Sequence, residues 1–333
     1  MLSVVCPVYN EEKHIDACIK SVLCQDYPKD DLEVIFVDGR STDRTREIID
    51  SYSSEYGFIR LLDNPKRIAP TALNIGIKEA KGDCILRLDA HAKYPNNYFT
   101  VLVSKLRELD AENVGGVCIT LPAEDTPVCR AIAAAMSSPF GMGNSHFRVG
   151  ADKEMLVDTV PFGCFKREIF DKIGFFDEEL VRNQDDEFNG RITKNGGKIW
   201  LLPNVEIEYY ARNTIGKTAK MFYQYGLFKP LVNRKLQKPT TLRQFFPPLF
   251  VAGLVIGGLL SIFSVPIRWI YLSVLIFYLL LSLLFAIRRT KRLPDFLIMP
   301  IVFFVIHASY GAGYWVGIFK QLGNRKIQVE SNH

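Results

Sequence analysis

Carboxylates are almost missing from the last third of this sequence. Of its 36 Asp and Glu residues only Asp295 and Glu330 follow Asn213, a stretch that holds 15 Lys and Arg. Residues 1–213 carry 34 acids against 26 bases, so the formal net charge of +5 is the balance of one region at −8 and another at +13. Opposite signs on this scale place the two regions in different surroundings. Several motifs are missing too. No Gly-x-Gly-x-x-Gly, Walker loop, His-Glu-x-x-His or Gly-x-Ser-x-Gly occurs, which leaves dinucleotide, P-loop and serine-hydrolase chemistry without support. There is no Cys-x-x-Cys pair. The seven cysteines (6, 18, 24, 84, 118, 129 and 164) are odd in number and scattered through apolar settings, which predicts reduced thiols in a cytosolic domain. Met1-Leu2-Ser3-Val4-Val5-Cys6-Pro7 lacks the basic region and apolar stretch of a signal peptide, so the first domain is expected not to cross a membrane. With 48% hydrophobic and 23% charged residues, disordered and fibrous architectures are excluded.

Long apolar runs, in contrast, are plentiful. Phe246 to Val265, Trp269 to Ile287 and Phe296 to Phe319 are largely uncharged and each about the 20 residues that cross a bilayer as helix. Three such runs cannot be buried in a domain of this size, so they predict a multi-pass membrane region and decide against nucleic acid as the partner of the basic half. Between residues 214 and 243, Lys217, Lys220, Lys229, Arg234, Lys235, Lys238 and Arg243 interleave with Met221, Phe222, Tyr223, Tyr225, Leu227 and Phe228. That pattern predicts a basic amphipathic segment lying on an anionic membrane face. The expected order is therefore a cytosolic catalytic domain at 1–213, an interfacial segment at 214–245, about three transmembrane or re-entrant helices at 246–320 and a tail at 321–333.

Basic residues favour the cytosolic side, which puts Arg288-Arg289-Thr290-Lys291-Arg292 inside and Pro266-Ile267-Arg268 in an outer turn. A third crossing would leave the C-terminus outside, against the charge of Lys320, Arg325 and Lys326. The last run, interrupted by Pro300, Gly311 and Gly313, is thus read either as a crossing or as re-entrant. His307, deep in that run, is either functional or bonded to a Ser or Tyr of a neighbouring helix.

The first region alternates short apolar strands with helical patterns. Strands are expected at Ser3–Val8, Leu32–Asp38, Arg60–Asp63 and Cys84–Asp89, and helices at Glu11–Leu23, Asp43–Tyr56, Ala69–Ala80 and Asn96–Leu109. Such alternation predicts an α/β domain with a parallel sheet whose ligands bind at the carboxyl ends of the strands. Acids fall at or near those ends. Asp38 closes Val34-Ile35-Phe36-Val37, where it can grip a nucleoside or cap the helix that follows. Asp89 closes Ile85-Leu86-Arg87-Leu88, and His91 two residues on faces the same side of an extended chain, so the pair can share one divalent ion. Asp185, Asp186 and Glu187 open a helix, where they complement its dipole or supply a general base.

In order along the chain come Val5-Cys6-Pro7-Val8-Tyr9-Asn10-Glu11-Glu12, Val37-Asp38-Gly39-Arg40-Ser41-Thr42-Asp43, Ala72-Leu73-Asn74-Ile75-Gly76-Ile77, Asp89-Ala90-His91, Phe162-Gly163 and Gln184-Asp185-Asp186. Over roughly residues 1–230 this series resembles the inverting family 2 glycosyltransferases of GT-A fold. The likeness is greatest to the membrane-anchored members that build exopolysaccharide and lipid-linked glycans, the succinoglycan glucosyltransferase type among them. The resemblance implies a Rossmann-like nucleotide-diphospho-sugar transferase domain followed by a helical membrane region. It implies that Pro7, Tyr9 and Glu11 line the nucleotide pocket, that Asp38 contacts the base, and that Asp89 contacts the ribose and diphosphate. His91 stands where the family has the second, metal-binding Asp, so Asp89 and His91 would hold Mn²⁺ or Mg²⁺, the imidazole suiting Mn²⁺ better. The family's Glu-Asp pair falls on Gln184-Asp185. Gln cannot take a proton, which makes Asp185 the expected base, with Gln184, Asp186 and Arg212 on the acceptor side.

The implied reaction is a metal-assisted single displacement of a sugar from a nucleotide-sugar donor to a hydroxyl of a polyprenyl-linked glycan, at the cytosolic face of the cell membrane. Membrane lipids are the further expected partners and nucleic acid is not one. A polyprenyl-phosphate sugar synthase and a non-catalytic membrane scaffold with a nucleotide-binding fold are the alternatives. Too few polar residues in the apolar runs speak against a transporter, and a processive synthase would show a Gln-x-x-Arg-Trp motif.

Overall fold

The computed structural model describes residues 1–323 and residue 327; Arg325 and Lys326, whose charge bears on the side of the membrane that holds the C-terminus, lie outside the described residues. In chain order the elements are β1 (Leu2–Val8), α1 (Ile15–Leu23), β2 (Leu32–Asp38), α2 (Thr45–Glu55), β3 (Ile59–Asp63), α3 (Ala69–Glu79), β4 (Cys84–Arg87), β5 (Ala92–Lys93), α4 (Tyr98–Glu108) and β6 (Asn113–Leu121). Then follow α5 (Pro127–Met136), α6 (Pro139–Met142), α7 (His146–Val149), β7 (Met155–Leu156), β8 (Cys164–Lys166), α8 (Glu168–Ile173), α9 (Gln184–Lys194) and β9 (Ile199–Tyr210). The last four are α10 (Ile215–Leu236), α11 (Phe246–Phe263), α12 (Val265–Arg289) and α13 (Leu293–Leu322). Residues 1–119 and 150–209 form one compact unit, and residues 120–149 form a second with the described chain after Tyr209.

In the first unit the strand order is β3-β2-β1-β4-β8-β6-β9-β5, with β7 on β9. Every residue of β2 is buried, as is all of β1 except Pro7; strands covered on both faces need such unbroken apolar runs. β1 to β4 run parallel. From β8 outward the pairs are antiparallel, unlike the all-parallel sheet expected. That half rests partly on β5, β7 and β8, strands of two or three residues that carry no readable period. The strand order reverses at β1, which has β2 on one side and β4 on the other, and the crevice at such a reversal is where open α/β sheets take ligands. α3 lies tightly against the sheet because a Cβ at Gly76 would collide with the Val5 side chain. Asn74, buried, fixes the same helix by exchanging two 2.9 Å hydrogen bonds with the backbone of Phe176.

The second unit corrects one boundary. Residues 120–149, expected inside the first domain, belong to it: α5 is apolar, packs on α13, and its Arg130 clasps Asp295 through two hydrogen bonds of 2.9 and 3.0 Å. Leu242–Phe263, Val265–Arg289 and Leu293–Leu322 are long and apolar enough to cross a membrane. The first break falls at Ser264, not at Pro266-Ile267-Arg268, which form the first turn of α12, where proline is tolerated. α13 runs unbroken through Pro300, Gly311 and Gly313. Its glycines serve contact with α10, since a Cβ at Gly313 or Gly317 would overlap the carbonyl of Tyr223 or Leu227, and one at Gly226 that of Tyr310. Of the basic segment, Ile215–Leu236 form a 22-residue helix whose apolar side lies on α13; Lys217, Lys220 and Arg234 stay exposed, but Lys229, expected on the membrane face, is buried, and Lys238 and Arg243 lie beyond the helix. His307 reaches the Tyr278 hydroxyl (2.9 Å) and the Phe140 carbonyl (2.8 Å), so both ring nitrogens of this buried side chain are engaged.

Candidate active site

The loop after β1 and the loop after β2 are sewn together by their own polar side chains. Asn10 turns the chain with a left-handed φ of 54°, which starts α1 four residues later than the helical spacing suggested. Its amide N–H donates to Ser41 Oγ (2.8 Å) and its Oδ1 accepts from the Thr42 N–H (2.8 Å). The Glu11 N–H donates to Thr45 Oγ1 (2.7 Å). Tyr9 packs on Gly39, where a Cβ would come within 3.1 Å of its ring. Asp38 is fully buried: it accepts from the Ser41 N–H (3.0 Å), the Ser41 hydroxyl and Arg46 (2.8 Å), and so holds the wall of the crevice in shape.

Across the crevice, the residues after β4 carry the charge. Asp89 Oδ1 lies 2.9 Å from His91 Nδ1, and Glu11 Oε1 lies 3.4 Å from the same nitrogen. The Asp89 N–H donates to the Tyr94 hydroxyl at 2.8 Å, which pins the turn. The Asp89 carboxylate, aided by Glu11, outweighs burial and lifts His91 to about 10. Burial alone would raise Asp89, but the His91 imidazolium and Arg87 hold it at about 2. At neutral pH the pair is a carboxylate beside an imidazolium. Two neighbouring oxygen and nitrogen donors fit a borderline divalent ion, provided it displaces the His91 proton. Among the described residues no group of three or more His, Cys, Asp or Glu side chains is arranged to hold a metal, so a cation here would need further ligands from the substrate or water.

Asp185 sits in the first turn of α9, behind Asn183 in a left-handed conformation (φ 62°). It is paired with Arg87 Nη1, from the end of β4. Arg87 is largely buried, its guanidinium 5.7 Å from the centre of the Phe162 ring, and Asp185 and Asp89 keep it charged against the cost of burial. Glu187 is taken up by Arg191 (2.7 Å), while Gln184 is buried at the helix start. The structure therefore brings Glu11, His91, Asp89, Arg87 and Asp185 into one charged row, flanked by the loop that carries Tyr9. Pro7 is half-buried in β1 and Asp186 half-buried beside Asp185. Arg212 is exposed and belongs to the second unit. Sequence reasoning missed Arg87, although a lone cation in Cys84-Ile85-Leu86-Arg87-Leu88 was a signal, and missed Tyr94, which gave none.

Carboxylates repel a phosphate unless a cation lies between them, so this row suits a cation-bound phosphorylated ligand; comparison with known proteins identifies the family. The model described as Glycosyl transferase family 2 matches residues 3–174, more than half of the chain. The chain belongs to this family. The glycosyltransferase is 29% identical over 328 residues to the dolichyl N-acetyl-alpha-D-glucosaminyl phosphate 3-beta-D-2,3-diacetamido-2,3-dideoxy-beta-D-glucuronosyltransferase of Methanococcus voltae, covering 96% of this chain and 97% of that one. It is 29% identical over 316 residues to the succinoglycan biosynthesis protein ExoA of Rhizobium meliloti, covering 94% and 93%. The mannosyltransferase PcManGT of Pyrobaculum calidifontis, solved with GDP-Man and Mn²⁺, superposes with a TM-score of 0.62 at 18% identity, over 96% of this chain and 87% of that one. The sheet of the first unit thus has the GT-A fold expected.

Proposed function

We propose that this glycosyltransferase moves a sugar from a nucleotide-sugar donor to a hydroxyl of a lipid-linked glycan, with inversion, at the cytosolic face of the cell membrane. The observation that carries the reading is the row Glu11, His91, Asp89, Arg87 and Asp185 along the crevice at the carboxyl ends of β1 and β4. Pro7, Tyr9, Glu11 and the wall held by Asp38 receive the nucleoside, and Asp89 and His91 face its diphosphate. Asp185 accepts the proton of the acceptor hydroxyl as that oxygen bonds to the anomeric carbon. The bond from this carbon to the diphosphate breaks, and its electron pair leaves with the nucleoside diphosphate. Arg87 fixes the Asp185 carboxylate in one orientation, and Gln184 and Asp186 flank it toward the acceptor. A divalent cation held by Asp89 and His91, Mn²⁺ more readily than Mg²⁺, supplies neutralising charge for the diphosphate when bound.

A hydroxyl acceptor suits a carboxylate base; an acceptor phosphate needs no base and would be repelled by one. The name of the Methanococcus relative also describes a dolichyl-linked N-acetylglucosaminyl phosphate as that enzyme's acceptor. The three apolar helices would keep the enzyme in the membrane where such a lipid resides. The test is binding and hydrolysis of UDP-glucose, UDP-N-acetylglucosamine and GDP-mannose, each with Mn²⁺, with EDTA and in His91→Ala. One donor should bind, and its affinity should fall with EDTA and with the substitution. Binding unchanged under both would sink the metal assignment, and no binding of any sugar nucleotide would sink the donor class.

A further inference from the structure

We propose that the second unit holds a binding site for the phosphate of an anionic membrane lipid, at the turn between α12 and α13. An open cavity of about 410 Å³ lies there, lined by Arg130 and Ala134 from α5, Arg289 from the end of α12, Lys291 and Arg292 from the turn, and Asp295 from α13. Asp295 is one of only two carboxylates after Asn213, and it is buried. Arg130 neutralises it through the bidentate pair of 2.9 and 3.0 Å, while its remaining Nη1 takes Asp125 at 2.5 Å. This clasp ties α5 to the start of α13, and its one cation and two carboxylates leave it at a formal −1 against the three other cations of the cavity.

The other three cations have no comparable partner. Arg292 approaches only the exposed Asp125, at 3.5 Å, and among the described residues neither Arg289 nor Lys291 has an ion pair. Three positive groups around one concavity, with Ala134 as an apolar patch, match a phosphate ester on a short apolar stem. The position selects a lipid as its source. The cavity opens where two helices long and apolar enough to cross a bilayer meet. Arg289 ends one and Arg292 precedes the other, which is the depth of lipid headgroups. Basic pockets between membrane helices recognise anionic headgroups in this way, and each cation near the surface strengthens binding about fivefold.

The experiment uses the full chain in dodecyl maltoside micelles, with bound phosphatidylglycerol and phosphatidylcholine counted by native mass spectrometry. Phosphatidylglycerol should bind about a hundredfold more tightly than phosphatidylcholine. Arg289→Gln with Lys291→Gln should remove about 25-fold of that affinity, whereas Lys217→Gln with Lys220→Gln, an equal loss of charge on α10, should change it less than about threefold. Ala134→Phe keeps every charge and fills the cavity, so it should lose phosphatidylglycerol to the same degree; its melting temperature in phosphatidylcholine micelles shows whether it is folded. Equal binding of the two lipids, or equal losses in the two charge variants, would overturn the proposal. Displacement of phosphatidylglycerol by millimolar inorganic phosphate would overturn the lipid assignment in favour of a soluble-phosphate site. If Ala134→Phe does not fold, the two charge variants decide alone.

Discussion

The crevice of the first unit and the α10–α13 pair of the second are held together by opposite means. In the crevice, side chains do the joining: Asn10, Ser41, Thr42 and Thr45 exchange hydrogen bonds between two loops, and Arg87 pairs with Asp185 across 98 positions of sequence. In the helix pair, missing side chains do it, because Gly226, Gly313 and Gly317 let backbone meet backbone. Glycine leaves no Cβ between two helices, so their backbones approach as no larger side chain would permit. A polar network can lose a member and keep its shape, whereas a backbone contact has no room to give.

That contrast predicts where single changes do most harm. The largest effect is expected from Gly313→Leu, which drives a side chain into the Tyr223 carbonyl; Gly253→Leu, in open space on α11, is its control. The first should cost more than about 3 kcal/mol and yield no monodisperse full-length protein in detergent, the second almost nothing. Equal behaviour in size-exclusion chromatography would remove the close-packing account. Next comes Arg87→Gln, which leaves the fold but frees Asp185; transfer should fall by about 10² with donor affinity within a few-fold, since a small misplacement of a reacting group costs that much. Donor affinity falling in parallel with transfer would place Arg87 on the donor instead.

The smallest effect is that of pH. His91, held protonated to about pH 10, and Asp89, ionised down to about pH 2, support the fold fully between about pH 4 and 6.5. The contribution fades as pH rises through His91's value or falls through that of Asp89. A cation taking His91 must expel its proton, so Mn²⁺ affinity should rise by up to about tenfold per pH unit above neutrality. In His91→Ala that slope should vanish, and calorimetric titration at three pH values reads it.

Much of the crevice was legible because its motifs are local. Pro7 to Glu12, Asp38 to Asp43 and Asp89 to His91 each span a strand end and the turn after it, so composition and order disclose them. The Arg87–Asp185 pair was not legible, since nothing local links the end of β4 to the start of α9. The antiparallel half of the sheet escaped for a different reason: β5, β7 and β8 are too short to show alternation, and their pairing is decided by partners far along the chain. The three apolar helices were plain from hydropathy. Gly311 and Gly313 read as interruptions because a glycine's value in a helix lies in the neighbour it admits, which sequence does not display. Residues 120–149 were misassigned because α5 is a short apolar helix, and only its contact with α13 tells which core it joins.

We propose Asp185, oriented by Arg87, as the base of glycosyl transfer. Consecutive side chains on a helix diverge by about 100°, so of Asp185, Asp186 and Glu187 only one points squarely at an acceptor hydroxyl, and Glu187 is buried whereas Asp185 is part-exposed. The direct measurement compares Asp185→Asn with Asp186→Asn in transfer rate and in donor binding. Asp185→Asn should lose about 10² to 10⁴ in transfer with donor affinity kept, and Asp186→Asn less than about tenfold. Loss of transfer in Asp186→Asn with Asp185→Asn still active would contradict the account and move the base one residue along α9.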